Sequence, residues 1–324
     1  MQLHSPLHTH LHIETPLVES NAFACRAGQR VWLKMDALQP SGSFKLRGIG
    51  HACATRVAAG ARRIVCASGG NAGLAASYAG RRLGVPVLVV VPETTSVRAR
   101  ELLAREGAEV RVHGLSFQEA NAHAQSLLET LDAFIHPFDD PLLWEGHAGM
   151  IDEVAAAGLR PDAVVLAVGG GGLLSGVVAG LRRQGWNEVP VIAVETLGAD
   201  SYAQSLAAGE RIELPGIASI ATSLGARKVS EHAFALAGEH PITPVVVSDA
   251  EAVAACLRFM DDHRIVVEPA CGAALALAYE AGERLGGFDN VLAIVCGGAG
   301  ATVAQLQAWD TQLRQLRMRK GPGF

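Results

Sequence analysis

AVVLAVGGGGLLSGVVAGLRR, residues 163–183, joins an apolar run to a helix-like run through four consecutive glycines. The apolar run has no polar alternation, which is typical of a strand buried on both faces. Backbone N–H groups of glycine can approach an anion closely, and the dipole of the following helix favours negative charge. A tight turn needs fewer glycines, so the run predicts a phosphate-binding loop at Gly169, Gly170, Gly171 and Gly172.

Short apolar runs followed by a turn and a helix-like stretch recur along the chain. They are RIVCAS (63–68), VPVLVVV (85–91), AEVRVHG (108–114), VPVIAVET (189–196) and NVLAIVCGG (290–298). Amphipathic stretches at 71–83 and 252–263 would supply helices to cover such strands. The pattern predicts an α/β protein with open, twisted, mainly parallel sheets and helices on both faces.

The length and the net charge of the chain exclude some classes of function. A chain of 324 residues suits two lobes, and its net charge of −5 gives no electrostatic attraction for nucleic acid or an anionic membrane. No apolar run reaches the length of a membrane span, and the first residues lack the pattern of a signal peptide. The cysteines show no C-x-x-C or zinc-finger spacing, which favours a reduced, cytoplasmic protein; they stand at 25, 53, 66, 256, 271 and 296.

Two further segments have a local pattern. His8, His10 and His12 alternate, so in a strand they would share one face. A polar strand face is favoured there over a metal site, because no carboxylate or cysteine stands at ligand spacing. The segment 136–147, HPFDDPLLWEGH, combines two prolines and two aspartates and is interpreted as a crossing between lobes.

Lys45 stands in the glycine-rich stretch PSGSFKLRG, residues 40–48. Arginine supplies most of the positive charge, and the chain has four lysines, Lys34, Lys45, Lys228 and Lys320. A partly buried lysine can lose its proton and become a nucleophile, whereas arginine stays protonated. The turn at 40–43 and the following run at 44–54 place Lys45 at a helix start, where the dipole favours the neutral amine.

The phosphate could belong to several ligands. The run fails the dinucleotide pattern G-x-G-x-x-G, although Glu195 closes the next strand where a ribose-binding acid would stand. A P-loop is excluded because no G-K-[ST] follows the glycines. Pyridoxal 5'-phosphate (PLP) explains the loop and Lys45 together, since it carries one phosphate and an aldehyde that reacts with lysine.

Five stretches together resemble one family. PSGSFKLRG is similar to the Schiff-base lysine motif of the PLP-dependent serine/threonine dehydratases, SGGNAG (68–73) to their substrate-carboxylate loop, and GGGGLLSG (169–176) to their phosphate loop. VEPACGAALA (267–276) and VCGGAG (295–300) also resemble this family. The similarity is greatest to the short L-serine dehydratases, which carry a cysteine where Cys296 stands here. It implies the tryptophan-synthase-β type of fold, with a large lobe at 1–38 and 143–324 and a small lobe at 39–142.

The resemblance implies a role for each site residue. Lys45 would hold PLP and move the substrate's α-proton, Phe44 would cover the ring, and Cys296 would face the ring nitrogen. The phosphate would lie on the glycine loop and Leu173. Asn71 would bind the ring hydroxyl and, with Ser68 and Gly69, the substrate carboxylate. A monovalent cation, K⁺ or Na⁺, would lie on the backbone carbonyls of Gly169, Ala199 and Leu224.

Two departures from the family bear on the substrate. Gly69 replaces an alanine of some members, which predicts a wider pocket, and Ala72 replaces the histidine of racemases and biosynthetic threonine deaminases. The implied activity is β-elimination of L-serine, and less well of L-threonine, by a homodimer. A threonine deaminase or serine racemase of the same fold, a nicotinamide oxidoreductase using Glu195 and a non-enzymatic amino-acid sensor stay open as alternatives.

Overall fold

The computed structural model describes residues 10–23, 28–280 and 284–320, and it contains two β-sheets flanked by helices. The strands are β1 (Leu17–Ser20), β2 (Arg30–Lys34), β3 (Arg63–Cys66), β4 (Val87–Val91), β5 (Glu109–Val112), β6 (Asp132–Phe134), β7 (Ala163–Ala167), β8 (Val191–Thr196), β9 (Ile242–Val247) and β10 (Asn290–Ile294).

The helices follow the strands in regular alternation through most of the chain. They are α1 (Lys45–Ala58), α2 (Asn71–Leu83), α3 (Val97–Arg105), α4 (Phe117–Ser126), α5 (Pro141–Ala156), α6 (Gly172–Arg183), α7 (Ser201–Ala208), α8 (Glu231–Leu236), α9 (Asp249–His263), α10 (Pro269–Glu280) and α11 (Val303–Lys320). Short 3-10 helices lie at Asp36–Leu38 and Thr222–Leu224.

The larger sheet has the order β1-β2-β10-β7-β8-β9, and the smaller has the order β5-β4-β3-β6. Strand β1 pairs antiparallel with β2, and the other neighbours pair in parallel. Parallel strands need crossover connections, which the helices provide. The predicted α/β class with mainly parallel sheets is confirmed.

Alternating residues of the smaller sheet belong to two separate apolar clusters. Ile64 and Val89 pack in the cluster that contains α1 and α2, whereas Val65 and Leu88 pack with α4. Successive strand residues point to opposite faces, so helices cover both faces of this sheet. In the larger sheet, α10 packs against β7 and β8. This double burial explains the continuous apolar runs in the sequence.

All four strands of the smaller sheet lie between residues 39 and 142, and those of the larger sheet lie outside that range. This division supports the two lobes, whose boundaries remain a prediction. In the described part of the chain, no helix is both long enough and apolar enough to cross a membrane.

Two interpretations of the sequence are wrong in detail. His10 and His12 precede β1 and are not in a strand, because the backbone beside them pairs with a side chain: Ile13 N–H donates to Gln39 Oε1, and Gln39 Nε2 donates to the Ile13 carbonyl. His8 lies outside the described residues. The crossing at 136–147 is also shorter than expected, because Asp140 caps α5 by accepting from Leu142 N–H and Pro141 begins that helix.

Candidate active site

A cavity lies at the carboxyl ends of β7 and β10. The glycine loop follows β7, Cys296 follows β10, and Lys45 and Asn71 reach the same cavity from the first residues of α1 and α2. Ligands of open α/β sheets bind at this end of the strands. The structure thus collects around one space most of the residues named from the sequence: Phe44, Lys45, Asn71, Gly169, Gly170, Gly171, Gly172, Leu173 and Cys296.

The turn before Lys45 is joined to the loop after β10 by backbone hydrogen bonds. Phe44 N–H donates to the Cys296 carbonyl at 3.0 Å, and Gly298 N–H donates to the Gly42 carbonyl at 2.8 Å. Gly42 and Gly298 both have positive φ, which favours glycine at these positions. The two loops therefore hold Lys45 and Cys296 at the same wall of the cavity.

Lys45 has the electrostatics of a potential nucleophile. Burial lowers the pKa of its amine from 10.5 to about 8, while Cys296 and Glu268 act in the opposite direction. Its Nζ donates to the Pro137 carbonyl at 2.6 Å. The other lysines with described side chains do not line this cavity: Lys34 pairs with Glu153 at 2.5 Å and Lys228 is exposed.

The glycine loop is packed too closely for side chains. A Cβ on Gly170 would lie 2.3 Å from the ring of Phe138, and one on Gly172 would lie 2.7 Å from the Phe138 carbonyl oxygen. Gly171 has φ +95° and is the N-cap of α6, where no side chain caps the helix. Backbone N–H groups and the positive end of the dipole are the anion-attracting features here, so the loop fits a phosphate group.

Cys296 is buried, with 6% of its surface exposed. A hydrogen bond with Cys271 and then burial raise the pKa of the Cys296 thiol well above its usual value. The thiol is therefore protonated at neutral pH. Such a group is a neutral, weak hydrogen-bond donor, in contrast to a carboxylate at the same position.

Asn71 and Glu268 form a polar pair at the edge of the cavity. Asn71 Nδ2 donates to Glu268 Oε1 at 2.7 Å, and Ala299 N–H donates to Asn71 Oδ1 at 3.0 Å. Burial raises the pKa of Glu268, and hydrogen bonds from Ser223, Asn71 and Gly300 act in the opposite direction. The sequence did not identify Glu268, although a single carboxylate in the apolar stretch VVEPACGAALA was a usable signal.

Glu195 is not available to bind a ribose. Its carboxylate is fully buried and accepts from Tyr202 N–H at 3.0 Å and Ala203 N–H at 2.8 Å, at the start of α7. It is absent from the cavity lining, and burial raises its pKa to about 8. The acid that a nicotinamide-binding protein would need is thus used to cap a helix, which removes the main support for that alternative.

Ser68 and Gly69 do not line this cavity, although Asn71 does. The space beside Gly69 is not open either, because a Cβ built there would lie 2.5 Å from Thr95 Cγ2 and 2.9 Å from Thr95 Oγ1. Thr95 occupies the space in which a Gly69 Cβ would lie. The expectation that Gly69 widens the pocket is therefore wrong on that side of the backbone.

The three expected cation ligands do not all line the cavity. Gly169 and Leu224 lie close together, with 3.0 Å between an ideal Gly169 Cβ and Leu224 Cα. Ala199 lies in the turn after β8, where its N–H donates to the Thr196 carbonyl, and it does not line the cavity. The cation stays a prediction.

Taken together, a lysine with a lowered pKa and a glycine loop at a helix N-terminus define a site for a cofactor that carries an aldehyde and a phosphate. A profile of the family described as "Pyridoxal-phosphate dependent enzyme" matches residues 8–297. The chain belongs to this family.

Named relatives agree with that assignment. The chain is 48% identical over 314 residues to a mouse protein, "L-serine dehydratase/L-threonine deaminase", covering 94% of this chain and 96% of the relative. A fungal L-serine ammonia-lyase from Rhizomucor miehei has a similar structure, with a TM-score of 0.87, 36% identity, and 93% and 99% of the two chains covered. The processed form of threonine deaminase isoform 2 from Solanum lycopersicum matches with a TM-score of 0.82 and 29% identity, covering 94% of this chain and 84% of that one.

Proposed function

We propose that this chain is a PLP-dependent lyase that converts L-serine into pyruvate and ammonia, and L-threonine more slowly into 2-oxobutanoate and ammonia. The observation that carries the proposal is the position of Lys45, whose pKa is about 8, on the same cavity as the glycine loop. The names of the relatives above supply the substrate class, since two of the three include serine and two include threonine.

Each site residue would contact a different part of PLP. Lys45 would bind its aldehyde carbon, and the N–H groups at the start of α6, with Leu173, would hold its phosphate. Phe44 would cover one ring face, Asn71 would donate to the ring hydroxyl, and Cys296 would face the ring nitrogen. Ser68, Gly69 and the backbone N–H of Asn71, the first residue of α2, would receive the substrate carboxylate. The fit rests on the crowded glycines around Phe138 and on the uncapped start of α6.

When bound, PLP supplies an electron-accepting ring that stabilises negative charge at the substrate's α-carbon. The Lys45 amine, released when the substrate amine takes its place, would remove the α-proton, which it can accept only in its neutral form. A pKa near 8 makes a substantial neutral fraction available close to neutral pH. The protonated Lys45 would then return this proton to the β-hydroxyl, which leaves as water, and hydrolysis of the remaining enamine gives the oxo acid and ammonia.

Cys296 favours elimination over racemisation. Its protonated thiol is a weak donor, so it does not hold the ring nitrogen in the positively charged form that a carboxylate would favour. Negative charge at the α-carbon would then be less stabilised, which would favour loss of the β-hydroxyl over return of a proton. Ala72 follows Asn71 where racemases and biosynthetic threonine deaminases carry histidine, which argues against both of these alternative assignments.

The remaining parts of the proposal concern the setting of the enzyme. It works in the cytoplasm as a homodimer, with K⁺ or Na⁺ near Gly169 and Leu224, and without nucleic-acid or membrane partners. The net charge of −5 supports the absence of polyanionic partners. The five cysteines that the structure describes are all free, which is compatible with a reducing compartment.

Absorption spectra and product assays test the proposal together. The purified protein with PLP should show the visible band of a lysine-bound cofactor and release pyruvate from L-serine. Lys45→Ala should lose both while staying folded, as judged by circular dichroism. Lys228→Ala removes an exposed lysine and is the matched control. If Lys228→Ala lost both properties and Lys45→Ala kept them, the proposal would be wrong.

A further inference from the structure

Glu268 occupies an unusual position at the start of α10. Its backbone carbonyl accepts from Cys271 N–H at 2.9 Å and Gly272 N–H at 3.0 Å, as an N-cap residue does. Its side chain does not cap this helix. Instead, Oε1 accepts from Asn71 at 2.7 Å and Oε2 from Gly300 N–H at 3.2 Å. A carboxylate that is only 5% exposed is thus directed across the cavity edge to other elements.

These contacts determine which way the Asn71 amide faces. Oδ1 accepts from Ala299 N–H, and Nδ2 donates to Glu268. In the reversed orientation, Oδ1 would face a carboxylate oxygen and Nδ2 would face an N–H group, so both contacts would be repulsive. One of the two Nδ2 hydrogens is left for another acceptor, and Asn71 lines the cavity.

We propose that Glu268 is a positioning residue that holds the Asn71 amide with its free N–H directed to the cofactor's ring hydroxyl. This inference rests on the role proposed above for Asn71. The contact is local in space but joins residues 197 positions apart in the chain. Gly298 and Gly300 leave room for the Glu268 side chain, since a Cβ on either would lie within 3 Å of the Glu268 carboxylate carbon or oxygen.

A double-mutant cycle on the affinity for PLP tests this role. The full-length protein is freed of cofactor, and its dissociation constant for PLP is measured by absorbance titration without substrate. Glu268→Gln should weaken binding by about tenfold, because glutamine cannot accept from both Asn71 and Gly300 N–H groups. In an Asn71→Ala background the same change should weaken binding less than about twofold.

The position of the visible band of the bound cofactor is a second readout. Glu268→Gln should shift this band in the protein that keeps Asn71, and should not shift it in the Asn71→Ala variant. Glu280→Gln, at the exposed end of the same helix, is the control and should change neither property. If Glu268→Gln does not fold, Glu268→Asp enters the same cycle, because the shorter side chain cannot span both contacts.

An equal loss of affinity in both backgrounds would overturn the inference, as would no loss in either. These results are independent of the reaction proposed above. A protein that shows the expected cycle but forms no pyruvate from L-serine would refute the dehydratase proposal and leave the role of Glu268 supported.

Discussion

At the scale of single residues, the protonation of Lys45 decides when the amine can react. Burial lowers its pKa to about 8 from 10.5, so the neutral form increases as pH rises through about 8. The rate of PLP attachment to the cofactor-free protein should therefore increase by about tenfold per pH unit below this value and level off above it. Stopped-flow absorbance over a pH series measures this rate.

The cofactor itself also titrates, so the same series is run with Nα-acetyl-lysine, whose amine is fully hydrated. Dividing the two profiles isolates the contribution of the protein's amine. A midpoint near 10.5, the usual lysine value, would contradict the effect of burial on Lys45.

The pair formed by Gly69 and Thr95 makes a second prediction at this scale. Gly69→Ala places a methyl 2.5 Å from Thr95 Cγ2, so either Thr95 or the loop proposed to bind the substrate carboxylate must move. We expect KM for L-serine to rise by about tenfold. Adding Thr95→Ala removes Cγ2 and Oγ1 and leaves the Thr95 Cβ 3.3 Å away, which should return KM to within about threefold of the original value.

Steady-state kinetics of pyruvate formation give these constants. Thr94→Ala, at the exposed neighbouring threonine, is the control for the second substitution and should not rescue Gly69→Ala. A Gly69→Ala enzyme with unchanged KM would show that Thr95 moves aside at no cost to substrate binding.

At the scale of helices and strands, the start of α6 combines two reasons for glycine. Gly171 has φ +95°, and a Cβ there would lie 2.3 Å from Ala233 Cβ. Gly171→Ala should reduce the free energy of unfolding by about 1–3 kcal/mol through backbone strain and crowding. It should also weaken PLP binding by about tenfold or more, because the loop proposed to hold the phosphate must shift.

Gly185, beyond the other end of α6, provides the control. It has φ +73° but no heavy atom within 4 Å of an ideal Cβ. Gly185→Ala should therefore cost about 1 kcal/mol in urea unfolding and leave the PLP dissociation constant unchanged. Equal effects of the two substitutions on PLP binding would mean that the start of α6 does not hold the phosphate.

Helices and strands with a clear hydrophobic pattern were predictable from the sequence. Those stabilised mainly by contacts with other parts of the fold were not. Helix α2 was expected at 71–83 and lies at Asn71–Leu83. The doubly buried strands β4 and β7 were expected from their apolar runs. Strands β1, β6 and β9 lie at sheet edges and are partly exposed, so their sequences lack a continuous apolar run.

Prediction of the candidate site from the sequence has the same limit. The glycine loop and Lys45 have local patterns, so they could be singled out before the fold was known. The contact of Glu268 with Asn71 has no local pattern, since it forms only when α2 and α10 meet at the cavity. The space taken by Thr95 beside Gly69 is likewise a property of packing between two loops.

At the scale of the whole molecule, a buried cluster of charges joins the two proposed lobes. Arg47, in α1 and fully buried, contacts Asp36 and Glu153, each at 2.6 Å. Lys34 Nζ lies 2.5 Å from Glu153 and donates to the Thr15 carbonyl. Two positive and two negative groups thus balance within the cluster. Because Arg47 follows Lys45 by two residues, the cluster also fixes the start of α1.

Removing the guanidinium tests this connection. Arg47→Met keeps most of the side-chain volume but leaves two acidic groups with one lysine in a buried setting. We expect the free energy of unfolding to fall by about 3–5 kcal/mol, because an uncompensated buried charge costs far more than a lost surface ion pair. Urea denaturation of the full chain gives this value. Arg47→Lys should recover part of the lost free energy of unfolding, because lysine restores the positive charge but cannot contact both Asp36 and Glu153 as the guanidinium does.

Arg56→Met, on the same helix, is the matched control. Arg56 is 50% exposed and lies 3.6 Å from Asp140, so its loss should cost less than about 1 kcal/mol. If Arg47→Met cost no more than Arg56→Met, the cluster would not stabilise the arrangement of the lobes. If it cost the expected amount, the visible band of bound PLP should weaken with it, because Lys45 depends on the same turn of α1 for its place in the cavity.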